Sequence, residues 1–219
     1  MSKESSVQHV VSTRDWDDFI AVCYFGRDGD WLDRCMRRAY LDMNRTLHGV
    51  AGRLGGNHSA WTDALLHVLK DRLMILPSRH TWTQVSFDAW HCESVDELQR
   101  VSSEHGFPLF VGQAQKWINM SIKYAIALGE QRLPGFSGVY EVAHIPLDNI
   151  VLDALVTGLA GKKMGPLPHT WSRIPSYAEY LSCQLWVRTN LPGIPLEIEY
   201  QLWGTGALTN RPSEAIDRD

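Results

Sequence analysis

The sequence predicts a mainly α protein: a compact helical domain, built as one body or as two lobes around a cleft. Three observations predict it. Apolar residues recur at three-to-four spacing in segment after segment, Ser, Thr and Asp stand where helices would begin, and strand-like alternation is confined to one short stretch near the end. About eight helices fit into the 219 residues, read here as a single domain, 1–219, with residues 1–12 and about 207–219 expected to be flexible.

Taken in order, Asp15-Trp16-Asp17-Asp18 ahead of Phe19, Ile20 and Val22 reads as a helix start, with acids at the positive end of the dipole. A longer helix runs from Asp30 to about Gly49, where Trp31, Leu32, Cys35, Ala39, Tyr40, Met43 and Leu47 form the apolar face. Arg34, Arg37, Arg38 and Arg45 lie opposite. With Asp33 and Asp42 among them, this face reads as solvated.

Gly52 to Gly56 breaks the chain, Ser59 caps a helix over 60–76, and Pro77 ends it. Residues 81–92 suit helix or strand, with helix favoured from Ser86. Ser94 and Glu97 then form a capping box for a further helix to about His105. After Gly106-Phe107-Pro108 come a helix over about 112–129, a loop over 130–145, and a helix from Pro146 to about Gly158. A Gly/Pro-rich loop spans 160–170, Ser176 with Glu179 caps a helix to about Thr189, and residues 192–203 alternate enough for a short strand.

Composition narrows the function classes. No run approaches the roughly 20 apolar residues that span a bilayer, so no membrane partner is expected. The start, MSKESSVQHVV, lacks the basic and apolar regions of a secretion signal, which implies a cytoplasmic protein. Cys23, Cys35, Cys92 and Cys183 are scattered, which argues against a zinc or iron–sulfur site and fits reduced thiols. Residues 110–175 carry 6 Lys/Arg against 4 Asp/Glu, whereas residues 1–33 carry 3 against 7. That mildly basic middle permits a nucleic-acid partner without demanding one. Nine tryptophans imply cores, lobe interfaces or stacking platforms.

The helix over 112–129 is apolar around most of its circumference, yet Lys116, Asn119 and Lys123 share one face at i, i+3 and i+7. They read either as a solvated edge, with the lysine stems lying on apolar surface, or as an amine in a desolvated cleft, where a lysine can serve as a nucleophile. The second half of the pattern is His144-Ile145-Pro146-Leu147-Asp148. Proline sets the approach to a helix and Asp148 falls in its first turn, where the dipole favours a carboxylate. Asp148 on its own also fits an ordinary N-terminal acid.

Together, a Lys early in one helix, a loop, and an apolar-Pro-x-Asp-x-x-apolar approach to the next helix resemble the helix–hairpin–helix DNA glycosylases. The likeness spans about residues 112–155 and is greatest to the archaeal 8-oxoguanine glycosylase branch, which the 32-residue separation of Lys116 and Asp148 suits. It also extends to antiphage members that remove a heavily modified base from viral DNA, although no residue of the chain marks that role. The resemblance implies Lys116 as the nucleophile that attacks the sugar C1′, Asp148 as the carboxylate that stabilises the sugar cation, and a Schiff base with optional strand cleavage. It implies no cofactor and no metal, and a monomer acting on double-stranded DNA with a damaged or modified base. Two departures are plain. The usual Leu-Pro-Gly-Val-Gly hairpin is missing, so Lys123, Lys162 or Lys163 would have to hold the DNA backbone, and the cluster-binding cysteines of some relatives are absent.

A flipped base needs stacking faces and hydrogen-bonding edges. Gln84, Phe87, Trp90, His91, Gln113 and Trp117 are the candidates for that pocket, each of which also reads as ordinary packing or, for Gln113, as solvated. Two other classes compete. Arg100 and His105 match the Arg-x4-His spacing of a helical RNase, and a non-catalytic interaction module would use Lys116 and Asp148 only as buried partners.

Overall fold

A computed structural model describes residues 11–158 and 170–209, and all its regular elements are helical. Ser12 caps α1 (Thr13–Phe25) and Asp30 caps α2 (Trp31–Met43), each in a reciprocal capping box with the acid three residues on. A 3-10 turn over Asn44–Thr46 and the short α3 (Val50–Leu54) lead into α4 (His58–Leu73) and α5 (Ile75–Ser78). Then come α6 (Gln84–Glu104), α7 (Val111–Leu128) and α8 (Asn149–Gly158), with a 3-10 turn at Phe136–Val139 in the loop between the last two. A 3-10 turn at Trp171–Arg173 precedes α9 (Tyr177–Asn190) and α10 (Pro195–Thr209).

The centre is α7, whose residues are buried without a break from Val111 to Ala125. Helix α2 packs along it most extensively, and α6, α9 and the turn at 171–173 cover its other sides. Apolar side chains from every one of these elements join one core, with Trp61, Trp117, Phe87 and Tyr180 its largest fully buried members. Helix α10 lies against α8, so the C-terminal segment returns to the middle of the chain.

Four local expectations are corrected. The segment over 192–203 is not a strand, and from Pro195 onwards it is the start of α10. Its alternating Leu196, Ile198, Tyr200 and Leu202 suit period 2, but Leu196, Glu199 and Trp203 suit a helix equally. Pro195 in the first helical position, helix-favouring Leu, Glu and Gln, and the lack of any partner strand among the described residues decide it. Ser94 and Glu97 cap nothing. The helix runs unbroken from its cap at Thr83, and the Ser94 hydroxyl donates to the Trp90 carbonyl at 2.7 Å. Ser59 sits inside α4 and its hydroxyl donates to Asp63, and Pro77 lies within α5, which begins after α4 has ended at Leu73. The Gly/Pro-rich loop over 160–170 lies, up to residue 169, outside the described residues, as do residues 1–10 and 210–219. No described helix is long and apolar enough to cross a membrane.

Candidate active site

The two ends of α8's approach loop are fixed by chemistry legible in the residues. The Glu130 carboxylate accepts the N–H groups of Gly135 at 2.7 Å and Ser137 at 3.0 Å, closing the first turn after α7. At the other end Asp148 is the residue before α8, and its Oδ1 accepts the Val151 N–H at 2.9 Å, which is an N-cap bond. Its Oδ2 accepts a hydrogen bond from Nζ of Lys116. The lysine side chain is 4% exposed and the aspartate 15%.

This pair forms part of one wall of an open cleft of about 700 Å³. Helix α7 contributes Lys116, Met120, Lys123 and Tyr124, and α2 with the turn after it contributes Arg38, Asp42 and Arg45. Tyr24 comes from α1, Asn149 and Ile150 from the start of α8, Trp171 from the 3-10 turn, and Tyr200 and Trp203 from α10. Trp171 presents its ring 6.0 Å from the Lys116 ammonium. That ring is carried close by Gly112, where an added Cβ would lie 1.7 Å from the Trp171 carbonyl oxygen.

A second ion pair stands behind the same cleft, which its lysine lines. Both carboxylate oxygens of Glu199 stand 2.6–2.7 Å from Nζ of Lys123, and Tyr200 and Trp203 face that ammonium at 4.7 and 5.9 Å. Burial pushes the Glu199 carboxyl above its usual range, against the opposing pull of Lys123. Burial also pushes the Tyr200 hydroxyl up to about 12 and the Tyr124 hydroxyl higher still, so both phenols are donors at neutral pH. Tyr124 donates to Asp42, which also accepts from Arg38 at 2.9 Å. Arg45 is exposed and makes no ion pair or hydrogen bond among the described residues, leaving its guanidinium open to a ligand anion.

The expected base pocket is not gathered here. Phe87, Trp90, His91, Gln113 and Trp117 are all buried and none lines the cleft. Trp117 donates its indole N–H to the Met36 carbonyl, and Trp90 donates to that of Arg72. His91 is fixed between Tyr177 and Asn119, each at 3.0 Å. Gln113 caps the start of α7 by accepting the Phe110 N–H, and it donates to the Thr46 carbonyl. Gln84 donates to Asp88 and to the Val142 carbonyl. Buried partners on neighbouring elements hold these groups: α2 and the turn after it take Trp117 and Gln113, and α4 takes Trp90.

Of the expected backbone contacts, Lys123 is 8% exposed and already neutralised by Glu199, which leaves it unsuited to a phosphate on the surface. Lys162 and Lys163 lie outside the described residues. Arg100 is held by Glu97 and Glu104, and the His105 ring bonds the Val101 carbonyl; neither lines the cleft. Among the described residues no group of His, Cys, Asp and Glu is arranged to hold a metal ion.

Sequence reasoning missed the aromatic wall. Trp171 follows a Gly/Pro-rich stretch without periodicity, and reading 192–203 as a strand separated Glu199 from Trp203, which a helix places one turn apart. The high tryptophan count was the available signal. No protein-family model matches the chain, and no curated protein or solved structure matches it.

Proposed function

We propose that the chain is a DNA glycosylase that excises a damaged or modified base from double-stranded DNA, with Lys116 as nucleophile and Asp148 as its partner carboxylate. One observation carries this reading: a buried amine and a carboxylate, 32 residues apart in sequence, meet at the wall of an open cleft edged with aromatic rings. Buried charges are expensive, and a buried pair is weak evidence of stability alone, so a pair on a cleft wall points to chemistry.

In this reading the target nucleotide leaves the duplex, at a cost of about a few kcal/mol, and enters the cleft. Trp171, Tyr200 and Trp203 offer stacking faces, and the Tyr24 hydroxyl offers its oxygen as an acceptor to an edge. Lys116 gives up a proton to Asp148, and its lone pair forms a bond to C1′ as the bond from C1′ to the base breaks. The electron pair leaves with the base, which takes a proton. Asp148 hands that proton on to the departing base, and the carboxylate, ionised again, stabilises the positive charge left on the sugar and nitrogen. Loss of a proton from the nitrogen and opening of the ring at O4′ give a Schiff base between Nζ and C1′. Water hydrolyses it, or elimination of the 3′ phosphate cleaves the strand.

Incubation with duplexes that carry different damaged or hypermodified bases, scored for abasic sites and trapped with borohydride, tests the proposal. A reducible adduct at the Lys116 peptide is the expected result. Base loss with no adduct removes Lys116 from the role of nucleophile, and no base loss from any duplex leaves the pair as a buried structural contact.

A further inference from the structure

The backbone that delivers Asp148 runs between helices without a strand beside it, so side chains must meet its polar groups. Two buried amides do so. Gln184 accepts the Ile145 N–H at 3.1 Å and donates to the Ile145 carbonyl at 2.9 Å. Gln115, fully buried on α7, donates to the Leu147 carbonyl at 3.0 Å and accepts the Leu147 N–H at 3.3 Å.

Gln115 precedes Lys116 on α7, and Leu147 precedes Asp148, so one amide joins the backbone beside the amine to the backbone beside the carboxylate. The amide itself has no freedom to turn. Its second N–H donates to the Gly112 carbonyl at 3.0 Å, and its oxygen also accepts from Asn119 at 3.0 Å. All four of its hydrogen-bonding positions are used, two of them on Leu147. An apolar replacement would strand the Leu147 N–H and carbonyl away from water.

We propose that Gln115 is a positioning residue that holds Asp148 in register with Lys116. It does not line the cleft and touches no substrate. The proposal rests on the reading of Lys116 and Asp148 as the reacting pair, and its test separates the two.

Competitive labelling of the intact protein with acetic anhydride, read at the Lys116 peptide by mass spectrometry, measures how freely that amine reacts without any turnover. Asp148→Asn sets the scale, since Lys116 then lacks its carboxylate and labels faster. Gln115→Leu is expected to approach that level, on the order of tenfold above the unaltered protein. Gln115→Glu, which when protonated keeps both acceptor positions but only one of the two donors, is expected to label between the unaltered protein and Gln115→Leu. Gln113→Leu removes an equally buried amide from the same helix and leaves Lys116 labelling unchanged, which separates register from general loosening. Should Gln115→Leu not fold, Gln115→Asn, one methylene too short to reach, carries the same expectation.

The proposal is overturned if Gln115→Leu, or Gln115→Asn in its place, labels like the unaltered protein, if Gln113→Leu labels as fast as it does, or if Asp148→Asn produces no rise. A borohydride trap on a duplex with one abasic site then distinguishes the two ideas. If the labelling pattern holds and no adduct forms, the positioning role stands and the glycosylase reading falls. If an adduct forms and the pattern is missing, the reverse is true.

Discussion

Asp148 divides its carboxylate between two tasks: Oδ1 caps α8 through the Val151 N–H at 2.9 Å, and Oδ2 takes the ammonium of Lys116. The two tasks separate by substitution. Asp148→Asn keeps an acceptor for Val151 and loses the charge, while Asp148→Ala loses both. On the proposed glycosylase reading, excision is expected to fall by about 100-fold or more in each, and DNA binding to change little. The Ala variant should be about 1 kcal/mol less stable than the Asn variant, the value of the cap. Equal stability of the two in urea denaturation would mean that the cap bond contributes nothing.

Gly112 lets the Trp171 backbone approach α7 closer than any side chain allows, since an added Cβ would meet the Trp171 oxygen at 1.7 Å. Backbone cannot give way as a flexible side chain can. Gly112→Ala is expected to cost about 3 kcal/mol, the upper part of the usual overpacking range, and to displace the ring that faces Lys116. Gly138→Ala, where nothing lies within 4 Å, is the control. The pair of denaturation midpoints decides it, and similar values for the two variants would contradict the close approach.

What was legible in the chain was local. The periodicity of 112–129 and the Pro-x-Asp approach at 146–148 each announce themselves within a few residues, so Lys116 could be placed on its helix and Asp148 at the start of the next, although α8 begins at Asn149 and Asp148 caps it instead of lying in its first turn. Their meeting, by contrast, depends on Gln115 and Gln184 pairing with a loop backbone, which no spacing rule encodes. The aromatic residues fared worse for a physical reason. Phe87 and Trp90 look like Tyr200 and Trp203 in sequence, and only the packing of α6 on its neighbours sends the first two inward while α10 turns the other two to the cleft. The pattern of 192–203 satisfies both periods, and so short a window cannot choose between them.

The Lys123–Glu199 pair joins α7 to α10 in the interior, where Glu199 is 1% exposed. Removing one partner leaves a buried charge without compensation. Glu199→Leu is therefore expected to cost about 3–5 kcal/mol, and Lys123→Met a similar amount. The double variant, with two apolar groups of comparable size in contact, should recover most of that loss. Urea denaturation of the four proteins gives the coupling directly. If the double variant loses the sum of the two single costs, the pair is not the unit of stability.

Acid should loosen the protein already in the range where free histidines titrate, because two histidines are buried without charge beside α7. His144 is fully buried, and burial pushes it down to about 4 although Asp88 accepts from its ring at 2.7 Å. Burial, with His144 beside it, holds His91 well below its ordinary value. In the unfolded chain both titrate near 6.5. Between pH 6.5 and about 4 the unfolded state therefore binds protons that the folded state refuses, so stability falls as pH falls. His144 alone accounts for about 3 kcal/mol across that window. The Asp88 carboxyl, held low by its bonds to His144 and Arg188 against the opposing effect of burial, adds a further loss only below its ordinary value of 3.8. Urea denaturation at half-unit steps from pH 7.5 to 4.5 should show the decline, and His144→Asn should flatten it by about half. A stability that stays level from pH 7 to pH 5 would show that these rings accept protons as readily in the folded protein as in the unfolded chain.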